Sequence, residues 1–589
     1  MQSAEVDKTS IALDTYLHTT APALGLWGCV ISAQALKSHR AAEAESHLLQ
    51  LRHVRAAPVK AHQSNLPVST HASVSAKNAT RMNLGLVLSA RTLARTVSKT
   101  LDIGNGIAGP DGFYRSAVLT NGLTPGPIIS GNKGDSFVIE VVNRLVDTRM
   151  DVVTSVHWHG IDQLHSNWAD GVDSVTQCPI IPGHSFQYKF NVKEQAGTFW
   201  YHSHYANQYC EALRGVFVVY DPRDPHAALY DVDDESTVLT LSDWYHYFSH
   251  EQPVIPAPNS SLINGLGRYP GGPDTPLAVV HVRHGVRYRF RLVNMACDPN
   301  FIFSIDSHEL TIIEVDGTNV QPLTVTQIQI FVGQRYSFVL QANKRVDNYW
   351  IRALPDFNPP ADFTDGKNSA ILRYFGAKIT HPTTSNAGAG SHPLKESDLR
   401  PLVPTPPPSK ADHTIVLNVD INQAGDRFLV NGQTFSSPDP VPVLLQILSG
   451  ASHAKDLLPA GSVYDLKPNQ TVDLVVPGGV VGGPHPMHLH GHSFWVIQSA
   501  GERTQNIIDP VLRDVVSIGD VGDNVTIRFR TENPGPWYFH CHIDWHLTDG
   551  FGVVMAEDAL GVSESEKPPP EWDQLCPLYA DFTNSDIYP

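Results

Sequence analysis

Seven consecutive residues, His540 to His546, read HCHIDWH and hold three histidines, a cysteine, an aspartate and a tryptophan. Neutral imidazole is a common metal ligand, and a thiolate is a soft one. Three more His-x-His pairs occur: His157/His159 in HWHG, His202/His204 in YHSHY and His488/His490 in HLHGH. With His540/His542 they account for eight of the 29 histidines. On a strand, residues i and i+2 share a face, so each pair presents two imidazoles side by side. One such pair is more often coincidence than ligand; four in one chain are hard to assign to chance. If the regions holding them abut, eight nitrogen donors converge. That is too many for one tetrahedral zinc. It suits a multinuclear cluster of a metal that favours imidazole, with copper the leading candidate.

The same period of two places Cys541 on the face opposite His540 and His542. His485, in HPMHLH, and His546, beyond the strand, are available to join it there. His485, Cys541 and His546 make a His2Cys set, the ligand type of a blue-copper electron-transfer site. One backbone segment would then join a mononuclear copper to a multinuclear one, with an electron entering at Cys541 and leaving through His540 and His542. The bland alternative is a structural zinc site with unrelated histidines around it.

The elements that must hold these residues read as strands. SFVIEVVNRL (136–145), FQYKFNV (186–192), RYRFRLVN (287–294), YSFVLQA (336–342) and NVTIRFR (524–530) alternate or run β-branched and aromatic. Turn signals such as PDG, PGP and NGL separate them. Short strands at such spacing predict an all-β chain of sandwiches, and sustained helical periodicity is nearly absent. The Pro-rich RPLVPTPPPSK (400–410) reads as a linker and YDPRDP (220–225) as a second junction. At 589 residues the chain has room for three or four domains. The expected division is an extension over 1–98, then domains over 99–225, 226–398 and 399–589.

Residues 1–98 differ in kind. They carry ten Lys and Arg against five Asp and Glu, leaving the rest of the chain a formal charge of −22. APALGLWGCVISAQA (21–35) has the apolar run and small-x-small ending of a signal segment, but Glu5, Asp7 and Asp14 outweigh Lys8 before it. Met82 opens a second candidate, MNLGLVLSA, with arginines following closely. The acidic body disfavours nucleic acid, and no apolar run is long enough to cross a bilayer. Of six cysteines, setting aside Cys541 as a ligand and Cys29 in the extension leaves four, enough for two disulfides in an oxidising compartment. Sequons at Asn259, Asn469 and Asn524 fit a secreted protein.

Four segments carry a family resemblance: HWHGIDQLHSNWADGVDSVTQCPI, GTFWYHSHYANQYCEALRG, HPMHLHGHSFWVI and GPWYFHCHIDWHLTDGFGVVMAED. Over about residues 100–589 the chain resembles the fungal laccases, multicopper oxidases of three consecutive cupredoxin-like Greek-key β-sandwich domains. LVNMACDPNFIFSIDSHELTIIEVDG (292–317) is similar to their middle domain and holds no copper ligand. The resemblance implies four copper ions. Type 1 would take His485, Cys541 and His546. Type 2 would take His157 and His488. The type 3 pair would take His159, His202, His204, His490, His540 and His542. It implies one-electron oxidation of phenols or aromatic amines at type 1, coupled to reduction of O2 to water.

Further roles follow from the same resemblance. Phe551, ten residues after Cys541, would stand at the axial position, where it cannot ligate. Asp298 would be the substrate-pocket acid, a proton acceptor as the electron leaves through His546; as a plain turn-former it would do neither. Asp170 and Asp544 would be acids near the trinuclear site and its solvent channels, against a reading as turn or cap residues. Cys178 would pair with Cys576 and Cys210 with Cys297. A secreted, glycosylated monomer is expected, with lignin fragments, pigment precursors or defence compounds as physiological phenols. Met487 and Trp545 stand where phenylalanine is frequent, and HSHYANQYCEALRG departs from the commoner wording; none removes a ligand.

Two other functions compete. A ferroxidase of the same architecture would need acids around the exposed type 1 histidine, and HCHIDWHL slightly resembles the ferroxidase wording. A non-catalytic copper-binding protein would need neither a full trinuclear set nor a wired Cys541, and the methionine-rich runs of such proteins are missing, with six Met in the chain.

Overall fold

Alternation along the sequence becomes the two faces of a sheet. In Ser136–Arg144 the residues Phe137, Ile139 and Val141 are buried, and those between them are half-buried. The structure is a computed structural model that describes residues 94–583 apart from 254–255, 357–361 and 437–440. The signal-like segments at 21–35 and from Met82 lie outside the described residues. The first strand is Thr96–Ala108 and pairs in parallel with Ser136–Arg144. It begins inside the stretch assigned to the extension, which therefore ends earlier than 98. Most of its first half is exposed, so its polar face concealed it in the sequence.

The described residues form seven sheets, and one pattern recurs three times. In each repeat an early strand pairs in parallel with the last strand, which pairs antiparallel with the penultimate one. A fourth strand then pairs antiparallel on the far side. The first repeat runs Gly126–Asn132, Arg214–Tyr220, Gly197–Ser203, Val156–His159. The second runs Val279–Val282, Ser369–Tyr374, Asn348–Pro355, Phe301–Ile305. The third runs Val463–Leu466, Gly552–Glu557, Gly535–Cys541, Pro486–Leu489. Each packs against a partner sheet, giving three sandwiches. The expected divisions at 225/226 and 398/399 fall between strands.

The repeats differ on their fourth strand. VHWH and PMHL in the first and third carry imidazoles, whereas FIFSI in the second buries Phe301 and Phe303 in its core. The first and third domains share a continuous apolar core, in which Val443, Leu444, Tyr538 and Trp572 meet Val156, Trp158 and Val175. Burying a large apolar side chain stabilises by about 1.5–3 kcal/mol, so this shared core holds the two histidine-bearing sheets face to face. Hydrogen bonds across the junction fix their register: Asn167 Nδ2 donates to Pro536 O (2.9 Å), Asn533 Nδ2 to Asp162 O (2.7 Å) and Trp572 Nε1 to Thr176 O (3.0 Å).

Candidate metal centre

Cross-strand register brings the four pairs together. His157 stands directly opposite His202, and His488 opposite His540. The rings of all eight paired histidines then converge between the first and third domains, each at most 8% exposed. His490 Nε2 lies 3.0 Å from His540 Nε2, and His542 Nε2 lies 3.1 Å from His159 Nδ1. His157, His488 and His490 bring donor atoms within 4.8 Å of one another, and so do His204, His490 and His540. His202 and His159 are ring neighbours of His542 at 5.2 and 4.9 Å.

The outer nitrogens are held by the protein. Nδ1–H of His157 donates to Asp170 O, of His202 to Ser203 O, of His488 to Asp514 O and of His540 to Cys541 O, all at 2.8–2.9 Å. Nδ1 of His490 lies 2.9 Å from Asp170 Oδ2. The buried Nε2 atoms of His157, His202, His204 and His488 are left without a hydrogen-bond partner. Leaving a buried polar atom unsatisfied costs about 1–3 kcal/mol, so several aimed at one space mark a ligand cage. Burial, and then mutual proximity, pushes His159, His202, His204, His488 and His490 well below the usual imidazole range; burial, with His157 adding to it, lowers His540 to about 3. They are neutral donors, as metal binding requires. The arrangement fits a multinuclear copper cluster.

The second set forms on the other face of the strand Gly535–Cys541, as its period requires. Cys541 Sγ lies 3.6 Å from His485 Nδ1 and 3.7 Å from His546 Nδ1, and those two nitrogens are 3.1 Å apart. Cys541 is the free cysteine among the described residues and is fully buried. His546 rides on the short helix Asp544–Thr548. Burial lowers His485 to about 4 and raises the Cys541 thiol, so a metal must displace that proton to be bound. Phe551 stacks on Phe428 at 5.0 Å and meets the His485 ring edge-on at 5.1 Å. It offers no donor atom.

Of this set, His546 reaches open space. It lines a cavity of about 670 Å³ with Asp298, Phe331, Phe428, Val481 and Trp545. Burial and the neighbouring Asp243 raise the Asp298 carboxyl to about 8. Trp545 is buried, with its ring edge-on to Tyr245 at 5.3 Å. Asp170 lies on the cluster itself, against His157 and His490. Asp544 lies one layer further out: its carboxylate accepts from Asn207 Nδ2 at 3.2 Å, beside the Cys210–Cys297 disulfide. Asp514 escaped the sequence reading. Its Oδ1 is 3.3 Å from His159 Nε2 and its carbonyl accepts from His488. RDVVSIGD (513–520) offers no spacing signal for it.

Both expected disulfides are present, Cys178–Cys576 and Cys210–Cys297. The multicopper oxidase family matches three segments, residues 103–224, 235–377 and 436–560. Laccase-2 of Trametes villosa is 54% identical over 84% of this chain and 96% of its own length. The laccase of Phlebia radiata is 54% identical over 85% of this chain and 97% of its own. Among solved structures, the laccase from Botrytis aclada aligns with a TM-score of 0.74 at 29% identity, over 84% of this chain and 94% of that one. Fet3p, a multicopper oxidase that functions in iron import, aligns with 0.73 at 28% identity, over 82% and 95%. With three family segments matched, three cupredoxin-type sandwiches and relatives of this similarity, the chain belongs to the laccases of the multicopper oxidase family.

Proposed function

We propose that the eleven residues expected from the sequence hold the four coppers of this laccase: His485, Cys541 and His546 the type 1 ion, His157 and His488 type 2, and His159, His202, His204, His490, His540 and His542 the type 3 pair. The observation that carries this is the Cys541 junction. Its sulfur faces His485 and His546, while the imidazoles before and after it in sequence face the other cluster. When bound, copper at these residues would supply one-electron oxidation of phenols or aromatic amines coupled to four-electron reduction of O2.

The chain's own residues supply the rest. The cavity over His546 presents Phe331, Phe428 and Val481 to an aromatic ring and the half-buried carboxyl of Asp298 to its hydroxyl. Burial and Asp243 raise this carboxyl, so in its ionised form it is a strong base for its type and would take up the proton a phenol releases on oxidation. Asp170 orients the His157 and His490 rings. Phe551, packed against His485, would offer no donor atom to a copper held by His485, Cys541 and His546, which would favour the reduced ion and a high potential. A glycosylated, extracellular monomer suits the exposed Asn259, Asn469 and Asn524 and the two disulfides.

The test is an absorption spectrum of the copper-loaded protein with copper quantitation and paired assays on a phenol and Fe²⁺. A thiolate-to-copper band, about four coppers per chain and the better kcat/KM on the phenol are expected. Asp356, Asp426 and Asp549 line the same cavity, so Fe²⁺ is the competing donor; a better kcat/KM on it would replace the laccase reading.

A further inference from the structure

The middle domain holds none of the eleven expected ligands, yet one of its turns reaches the cluster. A Cβ placed on Gly333 would come within 3.0 Å of His159 Cε1 and 3.1 Å of His542 Cδ2, so the turn lies against both rings. Gln334 Nε2 donates to Val515 O at 3.2 Å. Arg335, 0% exposed, donates from Nη1 and Nη2 to the two oxygens of Asp514 at 2.5 and 2.6 Å. Its Nε donates to Thr198 O in the first domain at 2.9 Å, and Nη1 also reaches Gly333 O at 3.0 Å. A single guanidinium thus ties a middle-domain turn to both ligand-bearing domains.

What it ties down is the odd histidine. Five of the eight rings anchor Nδ1 to a carbonyl or to Asp170. His159 is reversed: Nδ1 faces His542, and Nε2 lies on Asp514 Oδ1 at 3.3 Å. A neutral imidazole can offer Nδ1 to a metal when its proton sits on Nε2. That proton needs an acceptor outside the cluster, and Asp514 is the group in place. A bidentate Arg–carboxylate pair fixes both the charge and the plane of the acceptor.

We infer that Arg335 is a positioning residue for the trinuclear site: it orients Asp514, which holds His159 in the Nε2–H tautomer so that Nδ1 faces the type 3 ions. The inference rests on the laccase reading of this site. A carboxylate in any other plane would leave His159 free to rotate and present the wrong nitrogen. Lysine cannot replace the guanidinium, because it provides a point charge and not a two-pronged planar donor.

The experiment uses the copper-loaded full chain with Asp514→Asn, Arg335→Lys, and the double variant Arg335→Gln with Asp514→Asn. The double variant removes a buried ion pair without stranding one charge. The readouts are the thiolate-to-copper band, the EPR spectrum of type 2 and type 3 copper, and copper per chain. The expected result is an intact thiolate band with new EPR intensity from uncoupled type 3 copper, and copper falling from about four towards two per chain. Arg335→Lys should lie between parent and double variant. Parent-like type 2 and type 3 spectra in the double variant would overturn the inference. So would parallel loss of both copper classes, the mark of a purely structural residue. A crystal structure of the parent checks it without any variant: His159 must approach copper through Nδ1, and approach through Nε2 sinks the idea. A parent with no trinuclear copper at all would instead bring down the laccase reading itself.

Discussion

Phe551 and Asp298 act at the type 1 edge by different means, and each can be changed without touching a ligand. Phe551→Met places a weak thioether donor where the ring now stacks on Phe428. Axial donation stabilises the oxidised ion, so the type 1 potential should fall by about 59 mV or more, a tenfold shift in a one-electron equilibrium. Redox titration of the thiolate band measures it, and an unchanged potential removes Phe551 from the axial position. Asp298→Asn keeps the shape of the cavity wall but removes the base. We expect kcat/KM for a phenol to drop about 100-fold, with little change for an electron donor that releases no proton. Equal losses on both donors would mean that Asp298 packs the cavity and takes no proton. The expected ligands were legible because histidine and cysteine announce metal chemistry and a period of two assigns them to faces. Asp514 and Arg335 were not. His159 and Asp514 are 355 positions apart, and an aspartate or arginine in a strand-rich chain carries no signal until the fold brings it to a ring.

Between residue and fold stands the loop that follows HWHG. Gly171 has φ +84°, and a Cβ there would fall 1.8 Å from Val156 O, next to His157. No side-chain movement relieves a clash with backbone, and a left-handed φ disfavours alanine as well. Gly171→Ala should therefore push the strand Val156–His159 out of register with Gly197–Ser203. The measurable result is type 2 copper lost before type 1, together with a fall in Tm. A variant with full copper and parental Tm would show that the loop yields and does not brace the strand. Arg287–Asn294 and Asn524–Arg530 were readable from their alternating and β-branched or aromatic text, whose limits they match, although both faces of each are buried. Thr96–Ala108 was misjudged at its start because its exposed face is polar. The C-terminal helix Leu575–Thr583 also went unread. It is short, contains a proline, and is held by the Cys178–Cys576 disulfide and the shared core, so tertiary contacts and not local propensity define it.

At the scale of the molecule, the sequence implied that two distant regions must meet, but not what would hold them. The answer is a shared apolar core and buried polar groups at the junctions, and those groups make stability depend on pH. Burial raises Asp162 and Asp173 to about 7, and Asp298 and Glu566 to about 8. In the unfolded chain these carboxyls titrate near 4. Between those limits the native state binds more protons than the unfolded state, so each group makes stability fall as pH rises towards its folded value. Each proton so retained contributes a slope of about 1.4 kcal/mol per pH unit. Histidines act in the opposite sense. Burial lowers His308 to about 4, and the ligand imidazoles must stay neutral to hold metal. The unfolded chain takes up those protons below about pH 6.5, so the histidines contribute stability that is lost as pH falls below that point. Glu314, held near 2 by Arg289 and Arg291 despite its burial, is likewise lost only in acid. Above about pH 6.5 these raised carboxyls still titrate in the native state. The copper-loaded protein should therefore be most stable near pH 6 to 6.5, with Tm declining from there to pH 8.5. Asp173→Asn isolates one contribution, since Asp173 is buried beside Ser174 and is not among the expected ligands. That variant should remove a falling contribution of up to about 1.4 kcal/mol per unit between about pH 4 and 7, so its acid limb rises more steeply than the parent's and its decline is flatter only up to about pH 7. Thermal unfolding in a pH series, run on parent and variant at equal copper loading, decides it. A parent whose Tm rises to pH 8.5 would show that these carboxyls are already ionised in the native state, with solvent or partners repaying their burial.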